Sequence, residues 1–244
     1  MKSFAQAILA NSQLAQSLYS DLGFLKSLRL KDLLRVLPLM RASTSQLKQD
    51  LFALIETDFK RGGFFVEFGA TDGVSLSNTY LLEKRFSWSG LLVEPARHWH
   101  EQLCANRPKS SIEQLCVWSK SDEVLGFNEA SDKELSTIQQ FASNHPHGTS
   151  RTSERRYEVK TISLLDLLRK HNCPRNIDYL SIDTEGSEYE ILKAFDFSKY
   201  RFSVITIEHN YTSNRESIFA LLTKNGYERR YEDASAFDDW YTKI

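Results

Sequence analysis

A chain of 244 residues is long enough for one or two domains with a sizeable core, and 41% hydrophobic with 26% charged residues is the composition of an ordinary globular protein. With 31 Lys and Arg against 32 Asp and Glu, the net charge of −1 excludes an overall electrostatic footprint for nucleic acid or an anionic membrane. Cys104, Cys116 and Cys173 are too few and too scattered for a disulfide framework or a metal-ligand pair, which suits buried thiols in a reducing cytoplasm.

Lys2 precedes an apolar stretch from Phe4 to Ala10, but Gln6, Asn11 and Gln13 interrupt any signal-peptide core. Nowhere does the chain approach the ~20 apolar residues of a membrane-spanning helix. The expectation is a cytoplasmic protein without a membrane span. Residues 1–60 read as a helical extension. Leu33, Leu34 and Leu37 belong to a helix that Pro38 ends, and Leu47, Leu51, Leu54 and Ile55 form one apolar helical face after a cap at Thr44 or Ser45. Such an extension serves as a cap over the main domain or as an oligomer contact.

From residue 61 to 244 short apolar runs alternate with helical stretches. Strands are predicted at 64–68, 90–93, 112–118, 179–182 and 204–207, and helices at 76–86, 97–106 and 164–171. Ser213 to Glu216 reads as a capping box that opens a last helix ending near Gly226. The alternation implies an α/β, doubly wound, mainly parallel Rossmann-like sheet, with ligands beyond the carboxyl ends of its strands. Residues 129–156 break the rhythm and read as a lid or a disordered segment, with His145 and His147 as candidate substrate contacts. His98 and His100, two apart on a predicted helix, diverge and read as surface histidines.

The strongest chemical signal closes the first strand: Glu67, then Gly69, Ala70, Thr71, Asp72 and Gly73. Glycines at a strand end let the backbone turn tightly against a ligand. A nicotinamide loop needs glycine at its first, third and sixth positions, and only Gly69 of Gly69, Thr71 and Val74 complies. A methyltransferase loop, acidic-x-Gly-x-Gly-x-Gly, is matched by Glu67, Gly69 and Gly73, with Thr71 at the middle glycine. Glu94 ends the second strand 21 residues after Gly73, where a carboxylate for ribose hydroxyls is expected.

Together with Ser77-Asn78-Thr79, Trp88-Ser89-Gly90, Val93-Glu94-Pro95, Asn106-Arg107, the run Asp183 to Glu188 and Glu208-His209-Asn210, this loop resembles the FkbM family of S-adenosylmethionine-dependent methyltransferases. The resemblance spans roughly residues 52–240. It implies a class I methyltransferase fold, a seven-stranded sheet with one antiparallel edge, and O-methylation of a sugar or other natural product. It also implies S-adenosylmethionine as cofactor, held by Glu67, Gly69, Ala70, Thr71, Asp72, Gly73, Asn78, Glu94 and Asp183. The usual acidic adenine contact after the third strand is missing from Val117-Trp118-Ser119.

Asp183, Glu208 and His209 fall at the carboxyl ends of the fourth and fifth strands and are the candidate catalytic residues. A hydroxyl is a poor nucleophile, and His209 as general base would contribute about 10²–10⁴-fold. Asp183 and Glu208 are alternatively ligands of a divalent cation, and an all-oxygen donor set favours Mg²⁺, Mn²⁺ or Ca²⁺. The acceptor is then a small molecule or a glycan. A nicotinamide-dependent oxidoreductase and a binding module without catalysis are the competing readings.

Overall fold

The computed structural model describes residues 21–130, 136–139 and 153–244. His145, His147 and most of the predicted lid lie outside them. Residues 21–27 are helical, and helix α1 (Leu30–Val36) runs into a single tight turn at Leu37–Leu39, where Pro38 ends it as the sequence predicts. In helix α2 (Gln49–Glu56) the predicted face holds, with Leu51 and Leu54 fully buried and Leu47 buried just before it. The residue preceding α2 is Lys48 in a left-handed conformation, yet Ser45 Oγ reaches the Gln49 N–H at 3.0 Å.

The remaining elements follow in order: β1 (Phe64–Phe68), α3 (Tyr80–Phe86), β2 (Ser89–Val93), α4 (His100–Asn106), β3 (Ser111–Glu113), β4 (Cys116–Trp118), β5 (Val124–Ala130), β6 (Thr137–Ile138) and β7 (Ser153–Ser163). Then come α5 (Leu164–Lys170), β8 (Asn176–Ile182), α6 (Glu188–Lys193), β9 (Arg201–Glu208), α7 (Asn214–Lys224), β10 (Tyr227–Arg230) and β11 (Asp238–Lys243). Seven strands form one sheet in the order β10-β11-β9-β8-β1-β2-β3, doubly wound and parallel except where β11 runs against both neighbours. The reversed strand therefore lies one place in from the edge and is not the edge itself.

Strand alternation divides the core into two layers. Val66, Leu91, Leu180 and Ile205 face helices α5, α6 and α7. Phe65, Leu92, Tyr179 and Val204 face α2, α3 and α4. Phe52 of α2 stacks on Trp240 of β11 with ring centroids 4.8 Å apart, so the end of the helical extension is built into this second layer. Among the described residues no helix is long and apolar enough to cross a membrane.

Four local expectations are corrected. The predicted third strand divides, because Glu113 Oε1 takes the N–H groups of Gln114 (2.9 Å) and Leu115 (3.1 Å) away from the ladder. β3 stays in the main sheet, whereas β4 joins a smaller one ordered β4-β7-β5-β6. Helix α3 begins at Tyr80 and not at Leu76, whose φ of +56° pairs it with Ser45 instead. Ser213 is already helical (φ −62°, ψ −16°) and makes no capping bond, so the capping box does not form. Glu129 lies in β5 and Arg155 and Arg156 lie in β7, so both ends of the predicted lid are arms of an antiparallel hairpin.

Candidate active site

The chain enters the main sheet at β1, builds β2 and β3 to one side, and returns to build β8 and β9 on the other. At this switch point, beyond the carboxyl ends of β1, β2, β8 and β9, lies a cleft of about 490 Å³. One end has apolar walls from Pro95, Cys116, Val117, Phe127 and Ile138. The other gathers Asp183, Glu185, Glu208, Asp238 and Asn210. No Lys, Arg or His lines the cleft among the described residues.

The loop after β1 forms its floor. Gly69 has φ +74° and rests against the main chain of Asp183, a conformation and a proximity that suit glycine alone. Gly69 and Thr71 line the cleft; Ala70, Asp72 and Gly73 do not. Asp72 instead accepts from the N–H groups of Val74 (2.8 Å) and Ser75 (2.7 Å), and Gly73 gives its carbonyl to Arg107 Nη1 (2.9 Å). Glu67 reaches the cleft, but both its oxygens already hold the next turn. Oε1 accepts from the Asn78 N–H (2.6 Å), and Oε2 from the hydroxyls of Ser77 (3.1 Å) and Thr79 (2.5 Å). Burial raises its pKa despite the nearby Arg107. Asn78 lines the cleft with its side chain tied to Ser181 Oγ (2.9 Å) and Ser45 Oγ (2.5 Å).

Glu94 sits where the second strand leaves the sheet. Its Oε2 accepts from the Thr71 N–H (2.9 Å) and its Oε1 from the Ala96 N–H (2.8 Å). Each oxygen keeps a second lone pair for a ligand. Burial pushes its pKa up to about 7, with Asp183 and Glu129 adding repulsion and the two N–H groups opposing. His100 Nε2 lies 2.8 Å from the Glu94 carbonyl, and His98 Nδ1 lies 3.1 Å from the Glu129 carboxylate. The two histidines diverge as expected, but both are partly buried and not at the surface.

Asp183, Glu185 and Glu208 bring carboxylate oxygens within 4.8 Å of one another. Burial raises the pKa of Glu208 well above the usual range, and Asp183, Glu185, Glu188 and Asp238 raise it further. Glu188 is occupied with structure: its Oε1 accepts from the N–H groups of Thr184 (3.0 Å) and Gly186 (2.9 Å). Asp238 and Gln49 carry no sequence motif, and Glu185 stands out only as a member of the run Asp183 to Glu188.

The structure does not bring His209 to the cleft. Alternation along β9 puts Thr206 and Glu208 on the α2 side and sends His209 to the opposite face. There its Nδ1 accepts from the Tyr211 N–H at 3.0 Å, and its Nε2 lies 3.7 Å from Asp239, itself held by Arg215 at 2.8 Å. An Nδ1 that accepts leaves the proton on Nε2, and burial lowers the pKa of the ring. A base for a substrate in the cleft is not available from this position.

The description Methyltransferase FkbM domain matches residues 67–240. No curated protein sequence matches the chain. Among solved structures it is similar to precorrin-6y C5,15-methyltransferase from Geobacter metallireducens, at 12% identity over 74% of this chain and 71% of that one, with a TM-score of 0.41. It is similar to a TehB-like SAM-dependent methyltransferase from Corynebacterium glutamicum at 9% identity, 86% and 95% coverage and a TM-score of 0.40. Aeropyrum pernix fibrillarin, solved with natively bound S-adenosyl-L-methionine, gives 10% identity, 81% and 76% coverage and a TM-score of 0.42. Likenesses of this degree say nothing of activity, and the family match stands by itself. The chain belongs to the FkbM methyltransferase family and is an S-adenosylmethionine-dependent methyltransferase.

Proposed function

We propose that this FkbM-family enzyme transfers the methyl group of S-adenosylmethionine to a hydroxyl oxygen of a small-molecule or glycan acceptor. The observation that carries the reading is the graded polarity of the cleft. Its apolar end suits adenine, with Cys116, Val117 and Phe127 in place of a polar partner. Glu94 suits the ribose hydroxyls, and the acidic end suits the cationic sulfonium and ammonium groups. In this reading Gly69, Thr71, Asn78, Glu94 and Asp183 touch the cofactor. Glu67, Ala70, Asp72 and Gly73 hold the loop that does so.

In the transfer, a lone pair of the acceptor oxygen forms a bond to the sulfonium methyl carbon. The carbon–sulfur bond breaks, its electron pair stays on sulfur, and S-adenosylhomocysteine departs. The hydroxyl proton passes to Glu208, which lines the cleft where His209 does not. An end lined by carboxylates, with no cationic side chain among the described residues, repels anionic acceptors and suits neutral ones.

A second reading is favoured by the close approach of Asp183, Glu185 and Glu208. Three carboxylates offer the oxygen donors of a hard cation such as Mg²⁺, Mn²⁺ or Ca²⁺, and such an ion would supply Lewis acidity to the acceptor hydroxyl. The two readings differ in what chelation does.

The test is calorimetry with S-adenosylmethionine, S-adenosylhomocysteine and NAD, followed by transfer of a ¹³C-methyl label to small-molecule and glycan acceptors. The adenosyl compounds should bind and NAD should not, and the carbon shift should report a methyl ether. Label on nitrogen or carbon rejects the oxygen reading. Full turnover in chelator rejects the metal.

A further inference from the structure

The matched family domain begins at residue 67, yet Gln46 and Gln49 of the N-terminal extension line the acidic end of the cleft. Gln49 is 4% exposed. Its Oε1 accepts from the Leu47 N–H at 2.9 Å and from Ser45 Oγ at 2.5 Å. A main-chain N–H can only donate, so the orientation of the amide is fixed and Nε2 must point the other way. It donates to Asp238 Oδ2 at 2.8 Å. Asp238 is 4% exposed and pairs in register with Glu208 across β11 and β9, so alternation places both carboxyl groups on the same face. Beside them Asn210, 7% exposed, has a buried Nδ2 with no hydrogen-bond partner among the described residues. An unpaired buried donor next to carboxylates lacks an acceptor, and a group that both accepts and donates would satisfy both sides.

We infer that Asn210 and Asp238, with Gln49 as the positioning residue that aligns Asp238, form a subsite for one neutral hydroxyl group of the methyl acceptor. The inference rests on the methyltransferase reading of the cleft. The hydroxyl oxygen accepts from Asn210 Nδ2, and its proton is donated to the carboxyl group of Asp238 or Glu208. An ammonium group fails because it has no lone pair for Asn210, and a carboxylate or phosphate fails against the acidic wall. Gln49 touches no bond that changes. Its effect passes through Asp238.

The experiment uses the full chain loaded with S-adenosylhomocysteine, with methyl β-D-glucopyranoside and D-glucuronate as probes in saturation-transfer NMR. The neutral glucoside should receive saturation and glucuronate should not. Gln49→Leu and Asn210→Ala should each weaken glucoside binding by about tenfold, the scale of one lost hydrogen bond. Affinity for S-adenosylhomocysteine, measured by calorimetry on the same samples, should stay within about twofold of the parent. Gln49→Glu combined with Asp238→Asn reverses the polarity of the bond between the two side chains and should recover part of the glucoside signal lost in Gln49→Glu alone. A purely structural role predicts no such recovery. Glucoside binding unchanged in Gln49→Leu overturns the inference, as does a preference for glucuronate or silence from both sugars on the loaded enzyme. Failure of S-adenosylhomocysteine to bind rejects the cofactor reading instead, so the two failures are distinct.

Discussion

A side chain on Gly69 would collide with the main-chain carbonyl of Asp183, so the loop after β1 and the end of β8 touch backbone to backbone across the floor of the cleft. Gly69→Ala should therefore force the two apart and weaken S-adenosylhomocysteine binding at least tenfold, as read by calorimetry. Gly62, also left-handed at φ +67° but with open space around it, is the control. Gly62→Ala should cost only the conformational strain of about 1–2 kcal/mol in denaturant unfolding and leave binding alone. Equal effects from the two would mean that the contact at Gly69 is unimportant.

Glu94→Ala should weaken S-adenosylhomocysteine by about 1.5–3 kcal/mol, the scale of a hydrogen bond to a charged group. A bare strand-end carboxylate would leave stability untouched, but here the side chain also accepts the N–H groups of Thr71 and Ala96. A further loss of about 1–3 kcal/mol for the buried Ala96 N–H left unpaired is expected in urea unfolding. If the variant binds as tightly as the parent, Glu94 is not the ribose partner.

His209→Ala should turn over within about twofold of the parent, because a general base contributes about 10²–10⁴ and this ring faces away from the cleft. The variant should be less stable, since the Tyr211 N–H loses its acceptor. A turnover loss of a hundredfold in folded protein would return His209 to the chemistry.

Asp50 gives a pH prediction remote from catalysis. Burial pushes its pKa from 3.8 up to about 7, against the opposing hydrogen bonds from Ser43 and the Leu51 N–H. The folded state then keeps a proton that the unfolded chain releases above about pH 4, so this contribution to stability is full below that pH. It falls as pH rises toward about 7, by up to about 1.4 kcal/mol per pH unit, and is flat beyond. Both hydrogen bonds converge on Oδ1, which the amide oxygen of Asp50→Asn would reproduce. The variant should match the parent near pH 4, exceed it at pH 8, and flatten that part of the stability profile measured by denaturant unfolding. An unchanged profile would show that Asp50 is already ionised in the folded protein.

The sequence carried the sheet because its strands are apolar runs punctuated by glycine and proline, and Gly69, Glu94, Asp183 and Glu208, picked out by their places at strand ends, all line the cleft. It misplaced His209 because adjacency in sequence hides which face of a strand a residue takes. Register with β11 decides that, and register is a long-range fact. Gln49 escaped for a related reason. It lies 189 positions from Asp238 on a helix whose apolar face drew the eye, while its buried amide gave no periodic signal. The split at Glu113 turned on a side chain competing with the ladder, which hydrophobic patterning does not register.

Cys116 and Val117 belong at once to the smaller sheet and to the apolar wall of the cleft. The hairpin of β5 and β7 is consequently no detachable accessory. Cutting the chain back to a minimal sheet-and-helix scaffold would strip β4 of its partner and open the apolar end of the cleft to solvent. Loop grafts or random libraries aimed at this hairpin to change acceptor choice will register first as altered retention of the methyl donor, and screens that saturate the donor will overlook it.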